Sequence, residues 1–267
     1  MTLFKTGLGA AALGALLLAA APANADFVPY VIRNASAPPN DAPAINTTAS
    51  TTEFVISKSG QKAGFGSNDI NGTTLGSISN LHLDRLDDTT RFPTGSGASV
   101  APYLNFWITD GTHFAVVANE PSDPDFQALF SNGYNISFAD LADKAAHIHE
   151  TSDTSWLPSN GVGLTFADLA AFTILSPTAV QFASLSGTTS GAPWDFTNDD
   201  GYGVNWIFGD TLSNYVSGDA GYIVANDASV SSSAAPEPAT LALLRAGLAG
   251  FAASRRTRKA ACASHRS

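Results

Sequence analysis

Four aromatic residues have the types and the polar neighbours that carbohydrate binding requires. Tyr103, Trp107 and Phe114 lie in YLNFWITDGTHFAVVANE, and Trp206 lies in a similar NWIF segment. Flat rings stack on the C–H faces of sugars, while nearby asparagine and aspartate side chains bind hydroxyl groups. The sequence therefore predicts a sugar-binding platform of Tyr103, Trp107, Phe114 and Trp206. Core packing, the more common role of such residues, explains the same side chains without a ligand.

Two acidic segments have the oxygen ligands that Ca²⁺ prefers. They are WDFTNDDGYG (194–203) and NEPSDPDF (119–126). Counting back from Gly201, however, places Phe196 where a regular calcium loop has an aspartate. Solvated turns therefore explain these segments better, and Ca²⁺ is the one cofactor kept as an alternative.

A histidine pair raises the question of a metal site. His147 and His149 in HIHE (147–150) would share one face of a strand but would point about 200° apart on a helix. The preceding SFADLA segment favours a helix, and no third ligand stands at a suitable spacing. No metal site is predicted there.

Catalytic motifs are not found in the sequence. It has no Gly-x-Ser-x-Gly, His-Glu-x-x-His or phosphate-binding loop. A glycosidase needs only two carboxylates at a fixed separation, but nothing selects a pair among the many acidic residues. The expectation is a protein without catalytic residues, and a glycan-active hydrolase with two carboxylates is the alternative.

The segment around Asp110 predicts a β-hairpin. Asp110-Gly111 is a favoured two-residue turn between β-forming residues, and pairing about it sets Trp107 opposite Phe114. The predicted core face carries Leu104, Phe106 and Ile108 with His113, Ala115 and Val117. The other face, which carries Tyr103 and Trp107, mixes aromatic and polar side chains and is expected to be half-solvated.

Short strands separated by turn residues predict an all-β fold. The expected further strands lie at 52–57, 79–86, 172–175, 179–184, 203–208 and 221–225, and SFADLA (137–142) and TFADLA (165–170) each predict a short capped helix. This pattern indicates an antiparallel β-sandwich or jelly roll over residues 51–225. Residues 26–50 are expected to be a flexible lead-in, and residues 226–235 a polar linker.

Residues 1–25 are typical of a secretory signal peptide. An early Lys5 precedes an apolar stretch, and Ala23 and Ala25 form a small-x-small cleavage signal. Export machinery is therefore an expected partner.

The exported part, residues 26–235, is strongly acidic. It has 22 acidic residues against 6 basic ones, a net charge of −16. Such a surface repels nucleic acid, which is excluded as a partner. The single cysteine, Cys262, lies outside this part, so disulfides and cysteine-bound zinc are excluded from it.

The C-terminal tail, residues 236–267, combines a proline motif, an apolar span and a basic cluster. Pro236, Glu237 and Pro238 precede the span 239–253, which would be about 22 Å long as a helix against about 30 Å of hydrocarbon. An arginine within that span, Arg245, makes it a marginal transmembrane helix. The basic residues of a stop signal follow: Arg255, Arg256, Arg258 and Lys259.

These residues, in this order, resemble the PEP-CTERM sorting signal. The resemblance covers 236–259, with 260–267 as a cytoplasmic end, and it departs from the family at Arg245 and in the residues after Lys259. It implies an exported protein of a Gram-negative bacterium, anchored briefly in the inner membrane and processed by an exosortase-type enzyme in a strain that makes exopolysaccharide. The expected product is a structural or polysaccharide-binding protein of the cell surface or biofilm matrix.

Overall fold

The fold is known from a computed structural model that describes residues 26–87, 102–119, 124–127, 129, 134–151, 153–185, 191–209 and 221–233. Most of the regular structure is strand, and the paired strands are antiparallel, so the all-β prediction is confirmed.

The strands of the described residues are β1 (Val28–Arg33), β2 (Ala44–Thr47), β3 (Thr51–Val55), β4 (Lys62–Ser67), β5 (Ile78–Leu83), β6 (Tyr103–Thr109), β7 (Phe114–Ala118), β8 (Tyr134–Ile136), β9 (His147–His149), β10 (Thr173–Ile174), β11 (Trp194–Asp195), β12 (Asp200–Gly201), β13 (Val204–Gly209), β14 (Gly221–Ala225) and β15 (Ser229–Ser232). The helices are short: α1 (Pro124–Gln127), α2 (Phe138–Leu141), α3 (Ala179–Ser184) and 3₁₀ turns at Leu75–Ser77, Pro158–Gly161 and Ala167–Leu169.

The strands form one large sheet and smaller ones. Sheet 1 has the order β1-β4-β13-β6-β7-β9, with β10 paired to the end of β6. Sheet 2 has the order β14-β3-β2, and sheet 3 has the order β15-β5-β8. Strands β11 and β12 pair only with each other, in a segment called here the cover hairpin (residues 191–202).

The inner face of sheet 1 shares one hydrophobic core with sheets 2 and 3. Phe208 of sheet 1 stacks on Phe54 of sheet 2 with ring centres 4.1 Å apart. Trp206 of sheet 1 lies 5.3 Å from the ring of Tyr134 in sheet 3. Burial of one such aromatic side chain stabilises a fold by about 1.5–3 kcal/mol, so these contacts hold the smaller sheets on the large one.

The outer face of sheet 1 is also buried, which corrects the expectation of a half-solvated face. Trp107 and Phe114 pack beneath Phe182 of α3 and Trp194 of β11. Phe182 and Trp194 stack with ring centres 4.1 Å apart, and the Trp107 indole N–H donates a 3.0 Å hydrogen bond to the carbonyl of Pro193. The prediction failed because the covering residues lie about 80 positions away in the chain.

A second part of the outer face is closed by two tyrosines and a buried amide. The Tyr30 hydroxyl donates a 2.5 Å hydrogen bond to Asn205 Oδ1, and Asn205 Nδ2 donates to the Tyr202 carbonyl at 2.6 Å. Burial, then the neighbouring Tyr202 and Asp195, raise the pKa of Tyr30 well above its ordinary value. The hydroxyl therefore stays protonated as a donor, and the buried amide is satisfied.

The predicted β6–β7 hairpin is present, but its turn is longer than expected. Thr109 pairs with Phe114, and Trp107 pairs with Val116. The loop therefore comprises residues 110–113, and the prediction of a two-residue turn is wrong. Asp110 Oδ1 accepts hydrogen bonds from the backbone N–H groups of residues 112 and 113, both at 2.8 Å. These side-chain hydrogen bonds stabilise the four-residue loop, whereas a two-residue turn would be closed by backbone hydrogen bonds. The register moves by two residues, so Leu104, Phe106, Ile108, Ala115 and Val117 of the predicted core face all lie in the core. The prediction of His113 on that face is wrong, because this residue lies in the loop and is exposed.

Most of the other predicted strands are confirmed, but the strand predicted at 179–184 is wrong. Strands β3, β5, β10, β13 and β14 overlap the expected segments, whereas 179–184 form helix α3. Thr178 and Gln181 make a capping box in which the Thr178 N–H donates to the Gln181 side chain at 2.9 Å. This Thr-x-x-Gln signal outweighs the β-propensity of the segment. The same device opens α2 through Asp140 and the turn Ala167–Leu169 through Asp168, as expected.

The domain extends beyond both predicted boundaries. Residues 26–50, expected to be a flexible lead-in, contribute β1 and β2, and β1 pairs with β4 along sheet 1. The expected polar linker 226–235 contains β15, which pairs with β5. Strands β2 and β15 are short and bury few of their side chains, so backbone hydrogen bonds hold much of them and no apolar pattern reveals them. Strand β1 is apolar, with Tyr30 and Ile32 buried, but the polar, proline-rich segment that follows it concealed it.

Substitution of Gly64 tests the closure of the outer face. A Cβ at this position would overlap the ring of Tyr30, which the bond to Asn205 holds in place. We expect Gly64→Ala to lower the free energy of unfolding by about 1–3 kcal/mol in urea titrations. Gly72→Asn is the control, since Gly72 has a φ of +84° with open space around it. In a Tyr30→Ala background the cost of Gly64→Ala should vanish, and an undiminished cost there would contradict this contact.

Candidate functional site

The four residues of the predicted sugar platform do not share a surface. Trp107 and Phe114 lie under the cover on the outer face, and Trp206 is buried on the inner face. Tyr103 is half-buried, with the Lys62 ammonium 5.4 Å from its ring centre. The platform prediction is therefore wrong, because Trp107, Phe114 and Trp206 are core residues on two opposite faces of sheet 1 and Tyr103 alone is partly exposed.

The histidine pair lies on strand β9 rather than on a helix. His147 pairs with Ala118 and His149 with Val116 at the end of sheet 1. Two residues apart on one strand, the imidazoles share a face. Within the described residues, the one group of three metal-binding side chains lies elsewhere and comprises His82, Asp84 and Asp227.

The acidic segment 194–203 uses its one buried carboxylate for its own turn. Asp195 Oδ1 accepts hydrogen bonds from the N–H groups of Thr197 and Asn198, at 2.9 and 3.2 Å, and Oδ2 accepts from Asn198 Nδ2 at 2.7 Å. This carboxylate is buried, with 2% of its surface exposed, and it shapes the cover hairpin rather than facing solvent. Residues 120–123 of the other acidic segment lie outside the described residues.

A cleft at the tip of the β6–β7 hairpin is the candidate binding site. It has a volume of about 380 Å³. Thr109, Asp110 and Gly111 form one wall, and the other wall follows the chain into β10 and beyond, with Ala171, Phe172, Thr173 and Leu175. This volume lies at the lower end of the range for small-ligand pockets. We call it the hairpin cleft.

The hairpin wall is fixed by local hydrogen bonds. Thr109 Oγ1 donates to the carbonyl of His113 at 2.6 Å and accepts from the N–H of Gly111 at 2.9 Å. Gly111 has a φ of +99°, which a residue with a side chain rarely adopts. The sequence Thr-Asp-Gly-Thr-His therefore specifies this loop, and the cleft wall is shaped before any ligand arrives.

A row of three aromatic rings runs beside the cleft. Phe172, in the cleft wall, meets Trp156 edge to face with ring centres 5.4 Å apart, and Trp156 stacks on the His113 imidazole at 5.7 Å. The Trp156 indole N–H donates to the Asp153 carbonyl at 2.8 Å, which holds the ring in place. The row is called here the aromatic strip (Phe172, Trp156 and His113); all three side chains are at least partly exposed.

Two carboxylates beside the aromatic strip are held in their charged forms. Desolvation alone would raise the pKa of Asp110, but hydrogen bonds from the backbone and side chain of His113 and from the Thr112 N–H lower it to about 2. Hydrogen bonds from Ser155 lower the pKa of Asp153. Asp110 in the cleft wall and Asp153 beside the aromatic strip are therefore ionised near neutral pH and can accept hydrogen bonds.

One residue of this site, Trp156, stands out in the sequence by its surroundings. Trp156 lies in TSDTSWLPSNG, a polar loop in which no regular alternation requires a large aromatic residue. An aromatic side chain in such a loop has no strand neighbours to pack against and is therefore a candidate for surface contacts. Its position beside His113 depends on the fold, because the two residues are 43 positions apart.

The predicted sorting residues lie outside the described residues. These are Ala23 and Ala25 at the expected cleavage site, and Pro236, Glu237, Pro238, Arg255, Arg256, Arg258 and Lys259 in the C-terminal tail. Within the part of the chain that the structure describes, no helix has the length and apolar character needed to cross a membrane.

Comparison with known proteins gave no match among protein-family models, curated proteins or solved structures. The site is therefore interpreted from its own geometry.

The charged state of Asp110 gives the protein a defined acid response. The folded-state pKa of about 2 lies below the ordinary 3.8, so the stabilisation is complete above about pH 4 and is lost as the pH falls towards 2. We expect the difference in unfolding free energy between the unchanged protein and Asp110→Asn to be constant above pH 4 and to shrink below it. Urea titrations from pH 6 to pH 2 measure this difference, and a constant value across that range would refute the assignment.

Proposed function

We propose that this chain is an exported protein of the cell surface or extracellular matrix that is sorted through its C-terminal tail and binds polysaccharide without catalysis. The observation that carries the binding proposal is the aromatic strip beside the ionised Asp110 in the hairpin cleft. Sugars need an apolar ring surface together with fixed hydrogen-bond acceptors, and this cleft has both.

The sorting proposal is supported by the order of the sequence signals. A cleavable leader at 1–25, a cysteine-free acidic part and the Pro236–Pro238 motif with its apolar span and basic stop follow one another in the chain. Each suits a protein that leaves the cell and is held only briefly by its tail. An exosortase-type enzyme is the proposed processing partner.

We interpret the arrangement of the strands as a β-sandwich. The core shared by sheet 1 with sheets 2 and 3 supports this, because two facing antiparallel layers are what defines the architecture. In such folds the loops at strand ends are the usual binding positions. The hairpin cleft lies at a loop of this kind.

The charge of the protein narrows the class of polysaccharide. Residues 26–235 have a net charge of −16, and the pKa values of Asp110 in the cleft wall and of Asp153 beside the aromatic strip are both lowered. Uronic-acid polymers would be repelled by these carboxylates. The proposed ligand is therefore a neutral polysaccharide.

Binding is favoured over the alternative of glycoside hydrolysis. A glycosidase needs one carboxyl group with a raised pKa, which donates a proton to the leaving oxygen. At the cleft the pKa of Asp110 is about 2 and that of Asp153 is lowered, so neither supplies this proton near neutral pH. The pair can accept hydrogen bonds but is poorly suited to acid catalysis.

A glycan array distinguishes the two activities. We expect purified residues 26–235, which contain every described strand, to be retained on neutral glucans or mannans with no release of reducing ends. Release of reducing ends would show a hydrolase, and retention only on acidic polymers would contradict the proposed ligand class.

Replacement of Trp156 tests the site itself. We expect Trp156→Ala to weaken retention about tenfold, equivalent to about 1.4 kcal/mol, because the central ring of the aromatic strip is lost. Phe196→Ala is the matched control, since Phe196 is an aromatic side chain that is 53% exposed outside the cleft. Equal losses in the two variants would refute the hairpin cleft as the site.

The sorting motif is tested separately in the native host. We expect Glu237→Ala to leave full-length protein in the membrane fraction, because the processing enzyme would no longer recognise the motif. Ala235→Ser, a change just outside the motif, should be processed normally. Immunoblots against the tail follow both variants, and normal loss of the tail from Glu237→Ala would contradict the sorting proposal.

A further inference from the structure

We propose that His82, Asp84 and Asp227 bind one divalent transition-metal ion of the zinc type, at a site separate from the hairpin cleft. His82 lies on β5, Asp84 follows that strand directly, and Asp227 lies in the connection between β14 and β15. The fold thus brings together two ligands from one strand and a third from a segment more than 140 residues away.

The three side chains are close enough to share one ion. One ligand atom from each lies within 4.8 Å of the other two, and His82 Nε2 is 3.6 Å from Asp84 Oδ1. In a tetrahedral zinc site with bonds of about 2.1 Å, neighbouring ligand atoms are roughly 3.4 Å apart. The His82–Asp84 pair already has this spacing, and rotation of the exposed Asp227 side chain brings in the third ligand.

A residue outside the three orients the imidazole. His82 Nδ1 is 2.9 Å from Asn135 Oδ1 on the neighbouring strand β8, and because that oxygen can only accept, Nδ1 carries the proton. Nε2 then faces the Asp84 carboxylate at 3.6 Å, and in the neutral imidazole its lone pair is directed to the place where an ion would lie between the two groups. Metal-binding histidines are characteristically held in this way through their other ring nitrogen.

The charge around the three residues also favours a cation. Among the described residues, neither Asp84 nor Asp227 has a lysine or arginine partner. The nearest basic residue in sequence, Arg85, is paired with Asp87. Asp227 is exposed and the other two side chains are only partly buried, so an ion can reach all three from solvent.

The donor set indicates the kind of ion. One imidazole nitrogen with two carboxylate oxygens suits zinc and its neighbours, whereas Ca²⁺ and Mg²⁺ are bound through oxygen alone. The three protein ligands leave a coordination position for water. This ligand set contains no cysteine, in agreement with the lack of cysteine in residues 26–235.

Bound metal would fasten the final described strand. His82 is paired with Ser229 of β15, and Asp227 lies two residues before Ser229. An ion held by His82, Asp84 and Asp227 therefore ties the β14–β15 connection to β5. Unfolding of β15 would break this coordination, so metal should raise the thermal stability.

Zn²⁺ titration of the detergent-solubilised full chain tests the proposal, in a Cys262→Ser background so that the thiol does not compete. We expect one Zn²⁺ per chain by equilibrium dialysis and a rise in Tm on adding Zn²⁺. Asp227→Asn and His82→Gln should each weaken Zn²⁺ binding at least tenfold and abolish the rise in Tm. Asp199→Asn, which removes an equal charge from an exposed position elsewhere, should leave both unchanged.

The result that overturns the proposal is equally direct. Unchanged Zn²⁺ affinity in Asp227→Asn would exclude the site, and since Asp227 is exposed, this variant should fold even where His82→Gln does not. A Tm that rises with Ca²⁺ and not with Zn²⁺ would exclude His82 as a ligand. Neither outcome bears on polysaccharide retention, which uses the separate cleft.

Discussion

Coverage of sheet 1 on both faces is the constraint on which the rest of this structure depends. Sheets 2 and 3 bury one face, and the cover hairpin with α3 buries the other. Because both faces are closed, the large aromatic side chains of the central strands serve as core and cannot reach a ligand. The close approach of Tyr30 and Tyr202 to β4 in turn requires glycine at 64 and 66, where a Cβ would overlap their rings. What remains accessible are the ends of the strands, and the hairpin cleft lies at one of them.

The location of the hairpin cleft explains how the proposed binding site can be both exposed and rigid. The loop 110–113 joins two strands that are buried along nearly their whole length, so its base cannot move without disturbing the core. Its shape is then completed by the bonds of Thr109 and Asp110 to neighbouring backbone groups. A site organised before the ligand arrives loses little conformational entropy on binding. The lowered pKa of Asp110 has the same origin, since the backbone N–H groups that shape the loop also stabilise its negative charge.

The sequence predicts those parts of the fold that local patterns determine. Alternation of Leu104, Phe106 and Ile108 identifies both the hairpin and its core face, and two of the short helices follow from their capping residues. The turn is longer than predicted because the Asp110 side chain replaces backbone bonding, and α3 replaces a predicted strand because the Thr178–Gln181 capping box outweighs the β-propensity of its residues. The burial of the outer face and the meeting of Trp156 with His113 depend on distant segments, so no local window contains them. Periodicity reports which side chains share a face, but it does not report what covers that face.

The place where the described residues end relates the proposed metal site to the proposed roles of the cleft and the tail. The described chain ends just after β15, an outer strand of sheet 3, and Ser233 donates from both its backbone N–H and its hydroxyl to the carbonyl of Ser77. A pulling force applied through the C-terminal tail, while the domain holds a polysaccharide, would act on β15 first. Because β15 is an outer strand, its hydrogen bonds to β5 could then break one after another. An ion bound by His82, Asp84 and Asp227 would lie at the opposite end of β15 from the tail, at the point where peeling must stop if sheet 2 is to stay intact. A metal ion bound there would thus protect the junction between β14 and β15, and its contribution would be greatest in a protein held at both its proposed ligand and its tail.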